Sequence, residues 1–325
     1  MGSRLLFIRT DRLGETLLNL PVLHALRTAL PHASITLMAH PALRELLDGH
    51  PDLSDVREEP LLPGPWWWRA WRLSRVWRAW KPDTLIISNP KKEYHLAAWL
   101  AGVPCRVGYD RKWGGLLTHR LADRRVLGEC HEVEYNTRLL AALGLAIPAS
   151  VVLQLPVTDK ANQRVSQLLD HLGVADMDRL LVVHPWTSNA RKQWPLDRFR
   201  RLLERVSHLE RIRPVVIGGP DERGQEAAVL SGVGPKVASL VGRLSLPELA
   251  ACLRRASVVI TNDSGPMHLA AAVGTSVVAL FGTEDPGSHP RRWGPWGNGH
   301  TVIHKPLDQI TVEEVLAAVQ RYLQP

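Results

Sequence analysis

The chain is poor in the signatures that mark the commonest protein classes. No apolar run approaches the roughly 20 residues needed to cross a bilayer, which excludes a helical membrane span. Cysteine is scarce: Cys105, Cys130 and Cys252 are far apart, odd in number and without C-x-x-C spacing. That usage fits reduced thiols and argues against a disulfide framework or a zinc site. Met1-Gly2-Ser3-Arg4 leads straight into a strand-like segment with no secretory signal, so a cytoplasmic location is expected. G-x-G-x-x-G is absent. So is H-E-x-x-H: His131-Glu132-Val133-Glu134 has no second histidine at the required spacing and reads as a helix start. RNP, zinc-finger and helix-turn-helix patterns are missing too, which weakens the case for nucleic acid as a partner.

What is present is the composition of a folded, basic protein. The 325 residues suffice for two α/β domains, each with its own core. A formal charge of +8 favours anionic partners, among them acidic lipid headgroups and phosphorylated small molecules.

Strand-like and helix-like segments alternate along the chain. Leu5-Leu6-Phe7-Ile8, Ile35-Thr36-Leu37-Met38 and Thr84-Leu85-Ile86-Ile87 read as buried parallel strands, with a helix expected over Thr16 to Leu30. A Pro-containing stretch from Gly144 to Asp159 reads as a hinge. It divides the chain into expected domains 1-155 and 156-325. A second alternation follows, with strands at Leu180 to Val183, Pro214 to Ile217, Val258 to Ile260 and Val277 to Phe281. Helices are expected at Pro195 to Ser207, Asp221 to Leu230, Leu246 to Arg254 and Val312 to Leu323. The pattern predicts two doubly wound domains, whose ligands bind at strand ends and in the crevice they form. The last helix is expected either in its own domain or packed back on the N-terminal one.

The densest signal is Thr261-Asn262-Asp263-Ser264-Gly265-Pro266-Met267-His268, between an apolar strand and Leu269-Ala270-Ala271-Ala272. A small turn between a strand end and a helix start presents backbone N–H groups and the positive helix end, which suits a phosphate or diphosphate. His184 to Pro195 leaves another strand and carries Thr187, Ser188, Arg191 and Lys192. Lys192 can neutralise a diphosphate, with the hydroxyls as hydrogen-bond partners; the alternative is a solvated loop. Glu222, after Gly218-Gly219-Pro220, either meets sugar hydroxyls or serves a helix start. At the N-terminus, Asp11 and Glu15 follow the first strand, as catalytic carboxylates or as helix caps.

Trp66 to Lys81 holds six tryptophans and four arginines. As a helix it places Leu73, Val76, Trp77 and Trp80 on one core stripe. Trp67, Trp68 and Trp71 lie elsewhere, near Arg75 and Arg78, either as an interfacial face for lipid or as an ordinary surface. Lys91 and Lys92, then Arg111 and Lys112, join cations to aromatics after strands and suit an anionic acceptor.

Taken in order, Asp11-Arg12-Leu13-Gly14-Glu15, Lys192 before Trp194-Pro195, and Asp263 to His268 followed by Val278-Ala279-Leu280-Phe281-Gly282 resemble the ADP-heptose:lipopolysaccharide heptosyltransferases, glycosyltransferase family 9. The resemblance covers nearly the whole chain. It implies the GT-B fold, with an N-terminal acceptor domain and a C-terminal nucleotide-sugar domain. The implied reaction is metal-independent and inverting. A heptose passes from ADP-heptose to a lipopolysaccharide core acceptor at the inner face of the cytoplasmic membrane. ADP-sugar is then a substrate, and no cofactor and no nucleic-acid partner is implied. By resemblance, Asp263, Ser264, Gly265, Pro266, Met267, His268 and Lys192 hold the donor diphosphate, with Thr187 and Ser188 assisting. Glu222 meets ribose or sugar hydroxyls and Leu244 packs on adenine. Lys91, Lys92, Arg111 and Lys112 face the acceptor. The family's usual base is an aspartate after the glycine of its first turn. Here Glu15 follows Gly14, which moves the carboxylate by one methylene and leaves Asp11 as the reserve. Two other readings predict different behaviour. A nucleotide-sugar epimerase on the same scaffold needs no acceptor, and a basic membrane or nucleic-acid binding module binds no ADP.

Overall fold

The computed structural model describes residues 4–175 and 177–323. Met1-Gly2-Ser3, the start of the expected lead into the first strand, lies outside the described residues. Two compact units divide the chain, Met1–Val152 and Leu153–Pro325.

The first unit contains β1 (Arg4–Ile8), β2 (Ser34–Ala39), β3 (Asp55–Glu58), β4 (Thr84–Ile87), β5 (Cys105–Tyr109) and β6 (His119–Leu121). The second contains β7 (Arg179–His184), β8 (Ile212–Val216), β9 (Ala238–Ser239), β10 (Val258–Asn262), β11 (Val277–Phe281) and β12 (Thr301–His304). Each set forms one six-stranded sheet, in the orders β3-β2-β1-β4-β5-β6 and β12-β11-β10-β7-β8-β9. The pairings are parallel. Read from its other edge, the second order repeats the first, so both units are wound as Rossmann folds. Central strands β4, β10 and β11 are buried along their whole length, because helices cover both faces of a parallel sheet.

The expected central strands are present. The strands that the apolar pattern did not reveal are β3, β6, β9 and β12, while β5 is the strand expected, without a range, before Arg111. All four are short or at an edge, with polar residues such as Asp55, Arg57, His119 and Arg120, as edge strands that resist further pairing are built. The expected Thr16 to Leu30 helix is instead two helices, Leu13–Leu17 and Leu20–Ala29. Pro21 explains the break: it has no N–H for the carbonyl of Leu17, and its ring crowds that carbonyl. The segment from Asp221 likewise begins as a 3-10 turn, Pro220–Gln225, before the helix Glu226–Leu230.

The last helix, Val312–Leu323, packs on the helix Leu196–Ser207 and on β10 and β11. Its buried Val315, Ala318 and Val319 thus serve the second unit's own core. At its start, Thr311 and Glu314 exchange hydrogen bonds at 2.9 and 3.2 Å, the reciprocal arrangement of a capping box. Cys105, Cys130 and Cys252 are free thiols.

Candidate active site

In each sheet the winding reverses at one point, between β1 and β4 in the first unit and between β7 and β10 in the second. Loops leaving the two strands there diverge and open a crevice at the carboxyl edge. Asp11, Glu15 and Lys91 fall at the first of these places, and Thr187, Lys192 and Asp263 to Gly265 at the second.

In the second unit, β10 ends at Asn262 and the helix Gly265–Ala272 begins two residues later, with Ser264 at its N-cap position. The Ser264 hydroxyl does not cap the helix. It lies 2.8 Å from Thr261 Oγ1 and 3.3 Å from His184 Nδ1. His184, the last residue of β7, is also 3.2 Å from Thr261 Oγ1. Burial pushes the His184 imidazole down to about 4, so it is neutral at physiological pH. Lys192 crosses from the β7 loop and donates from Nζ to Asp263 Oδ2 at 2.5 Å. Burial raises the Asp263 carboxyl, and the Lys192 ammonium works against that rise. Thr187 Oγ1 donates to the Asp263 carbonyl at 3.4 Å.

Asn262 ties the two loops together. Its Oδ1 accepts from the Trp194 N–H at 2.9 Å, and its Nδ2 donates to the Pro185 carbonyl at 2.8 Å. Trp194 is wholly buried and donates from Nε1 to the Ile310 carbonyl at 3.0 Å. The cation-bearing segment therefore hangs between two fixed points, Pro185 and Trp194. Trp186 packs against Gly218, where a Cβ would come within 2.9 Å of its ring. That close approach is the reason for glycine at the end of β8.

The structure brings together Thr187, Lys192, Asp263, Ser264 and Gly265. Ser188 is exposed in the same loop, and Pro266 occupies the first helical turn. His268 is buried one turn in, with its ring 6.4 Å from that of Trp293. Met267 corrects the expectation of a donor contact: its side chain is fully buried, so it anchors the helix instead of lining the site. Glu222 is half-buried beside Gly219 at the end of β8, and half-buried Leu244 follows the left-handed Gly242 after β9. Both belong to loops at the same carboxyl edge, one and two strands beyond β7.

In the first unit, Arg9, Thr10 and Asp11 follow β1, and Glu15 lies in the helix Leu13–Leu17. Burial raises the Glu15 carboxyl above its usual range; its own backbone N–H opposes this and the Asp11 charge adds to it. Arg9, 3% exposed, donates from Nε to Asp11 Oδ1 at 2.7 Å. Behind it lies a chain of buried charge. Glu132 Oε1 is 3.8 Å from Arg9 and 3.7 Å from Arg125. Arg125 makes a two-pronged contact with Asp123, both bonds at 2.9 Å, and stacks over Tyr109 at 3.9 Å. Here Glu132 is a wholly buried counter-ion, while His131 caps its helix with Glu134 as the reciprocal partner.

Lys91 joins the same edge from β4. Its Nζ donates to Thr10 Oγ1 at 3.0 Å, to Tyr94 Oη at 2.8 Å and to Glu59 Oε1 at 3.2 Å, and Tyr94 donates to Glu59 as well. The other expected acceptor cations are more peripheral. Lys92 sits over the Trp66 ring at 4.4 Å. Arg111 is largely exposed and 3.6 Å from Asp123. Lys112 is exposed, with left-handed backbone.

Sequence reasoning missed Arg9, Glu59, Tyr94, Asp123, Arg125, His184 and Asn262. Arg9, His184 and Asn262 did carry a signal, since each is a polar residue closing an apolar strand at its carboxyl end. Glu59 carried none, because it follows an edge strand with no apolar pattern. Among the described residues one donor group is close enough to share a cation: Glu284, His289 and His304, with ligand atoms within 4.8 Å of one another. Two of its ring nitrogens are engaged. His289 Nδ1 accepts from the Arg291 N–H at 3.0 Å, and His304 Nε2 lies 2.7 Å from the Thr283 carbonyl.

The description Glycosyltransferase family 9 (heptosyltransferase) matches residues 83–316. The chain belongs to this family. The glycosyltransferase is 25% identical to lipopolysaccharide heptosyltransferase 3 of Escherichia coli, over 88% of this chain and 84% of that one. The solved structure of a family 9 glycosyl transferase from Veillonella parvula superposes with a TM-score of 0.88 at 24% identity, over 99% and 97% of the two chains. E. coli ADP-heptose lps heptosyltransferase II gives 0.81 at 21%, over 98% of each chain. The fold of this glycosyltransferase is GT-B. The epimerase reading finds only a remote likeness of fold: UDP-GlcNAc 2-epimerase from Methanocaldococcus jannaschii gives a TM-score of 0.58 at 14% identity, over 99% and 93%. Membership of a transferase family also sets aside the reading as a binding module without activity.

Proposed function

We propose that this glycosyltransferase moves a heptose from ADP-heptose to a sugar hydroxyl of a lipopolysaccharide core acceptor. The observation that carries the proposal is the start of the helix Gly265–Ala272. There an N-cap hydroxyl is turned away from the helix while a lysine is held beside it by Asp263. Backbone N–H groups and an ammonium at one point suit the pyrophosphate of a nucleotide sugar. As the glycosidic oxygen departs, charge builds on that pyrophosphate, and these fixed donors stabilise it.

The first unit supplies the proton acceptor. Glu15, held partly out of water, is a stronger base than an exposed glutamate and takes the proton of the attacking hydroxyl. The new bond forms on the face of the anomeric carbon opposite ADP, so configuration inverts. Lys91 and the cations beyond it receive the phosphorylated parts of an acceptor anchored in lipid, at the inner face of the cytoplasmic membrane. Neither a cofactor nor a metal ion takes part in this scheme.

A thermal-shift panel with ADP, UDP, GDP and CMP tests donor class, followed by turnover of ADP-heptose on a truncated core acceptor. Selective stabilisation by ADP and transfer to the acceptor are expected. Preference for another nucleotide, or epimerised sugar formed without acceptor, would overturn the reading.

A further inference from the structure

The helix Trp66–Trp80 buries Ala70, Leu73, Ser74 and Trp77 against the first unit's core. Its other face is unusual for a globular surface. Trp67, Trp68 and Trp71 are 56%, 40% and 41% exposed. They are contiguous: Trp68 stacks on Trp71 with ring centroids 4.7 Å apart, and Trp67 meets Trp68 edge-on at 6.2 Å. Exposed Arg72, Arg75 and Arg78 share this side, with Arg75 over the Trp71 ring at 5.2 Å. The helix contains no acidic residue. Among the described residues neither Arg72 nor Arg75 makes an ion pair, so their charges face solvent uncompensated.

The tryptophans also occupy a particular end. The helix follows β3 and precedes β4, so its first turns lie at the carboxyl edge of the sheet, where Asp11, Glu15 and Lys91 are found. Two contacts pin it there. Arg69 donates to Glu93 at 3.1 Å, and Lys92 covers the Trp66 ring. Trp113, itself 42% exposed, meets Trp66 edge-on at 4.9 Å and extends the aromatic surface along that edge.

We infer that this face docks the enzyme on an anionic lipid bilayer. Indole rings settle at the boundary between headgroups and acyl chains, and arginines keep their stems there while the guanidinium meets phosphate. A helix with tryptophan and arginine on one side and no acid has the chemistry of a headgroup layer. No described helix is long and apolar enough to cross a membrane, so contact through this face is lateral. Docking through it sets the Glu15 edge beside the surface from which a lipid-borne acceptor rises. The inference rests on the reading that the acceptor is lipid-borne, and it can be tested with no substrate present.

The test is sedimentation of the full chain with phosphatidylcholine–phosphatidylglycerol vesicles and with phosphatidylcholine alone. Binding to the anionic vesicles is expected, weakened by salt. Arg72→Gln/Arg75→Gln should lower the partition coefficient by about 25-fold, roughly fivefold per charge. Trp67→Ser/Trp68→Ser/Trp71→Ser should lower it by about tenfold or more. Retained thermal stabilisation by ADP and retained turnover of a soluble truncated acceptor would show that the variants fold. Vesicle binding equal to wild type in both variants would overturn the inference. So would a wild-type protein that ignores vesicles but self-associates through the tryptophans. Loss of ADP-heptose turnover by the wild type would count against the proposed function alone.

Discussion

The two units share a strand order and place their polar residues at the same point of the winding, yet they fill that point with opposite chemistry. In the first, the turn after β1 is backed by full charges, running from half-buried Asp11 through buried Arg9, Glu132 and Arg125 to half-buried Asp123. In the second, the turn after β10 is backed by neutral groups: the imidazole of His184, the hydroxyls of Thr261 and Ser264, and the amide of Asn262. The ion pair beside it, Lys192 with Asp263, is partly open to solvent. A network of charges holds a carboxylate in place and tunes its basicity. A neutral shelf leaves the helix N-terminus with no fixed counter-charge except Asp263, which holds Lys192 beside it. Under the proposed function, one scaffold serves a proton at one turn and an anion at the other, and the difference lies in the residues that close the strands.

The comparison breaks most visibly at Glu15. Glu15→Gln keeps the size of the side chain and removes its basicity. Transfer should fall by about 10²- to 10⁴-fold, while ADP stabilises the variant as it does wild type. Turnover assays paired with thermal shift separate the two effects. Equal turnover would remove Glu15 from the base role.

Lys192→Ala tests the anion side. Donor affinity should fall roughly 10- to 100-fold, the worth of a charge-assisted contact. The variant also leaves Asp263 without its partner, so some loss of stability accompanies it. Lys192→Ala/Asp263→Asn should recover that stability and still bind ADP weakly in calorimetry. Recovery of both would reduce Lys192 to a structural role.

His184 offers a third contrast, between a neutral shelf and a charged one. Its folded value of about 4 lies below the ordinary 6.5. Between these values the unfolded chain binds more protons than the folded one, so stability falls as pH drops through that window. The loss is on the order of 3 kcal/mol once pH is below both. His184→Asn offers polar atoms to Thr261 and Ser264 but does not titrate. Chemical denaturation from pH 7 to 4 should therefore show a shallower decline for the variant, and parallel curves would mean that His184 is not held neutral.

The architecture was legible because central parallel strands are apolar throughout and turns at their ends are rich in glycine and hydroxyls. Ile260 to Gly265 and Val183 to Lys192 announced themselves in that way. The Arg9–Glu132–Arg125 chain did not, since Arg9 lies more than a hundred residues from the other two and each is a plain charged residue in sequence. Met267 misled for the opposite reason. It lies within the loop-helix motif, but in the first helical turn one side chain must point to the sheet, and spacing alone does not say which. Lys91 looked like one of a pair with Lys92. The fold separates them, turning one to Thr10 and Tyr94 and the other to Trp66.

The smallest expected effect is the sharpest probe of the charged site. Burial raises the Glu15 carboxyl most; Asp11 adds to that rise, while Arg9 and Arg12 lower it. Asp11→Asn removes the negative charge and also leaves the Arg9 guanidinium less neutralised. Both changes favour the ionised form of Glu15, so its proton leaves at lower pH. If Glu15 is the base, the acid limb of kcat/KM moves to lower pH while the plateau is nearly kept. If Asp11 is the base, the plateau collapses at every pH, because asparagine accepts no proton. A limb that stays in place with the plateau intact would assign it to a group outside this network. The three results are mutually exclusive, so one pH profile of one variant decides which carboxylate the buried arginine serves.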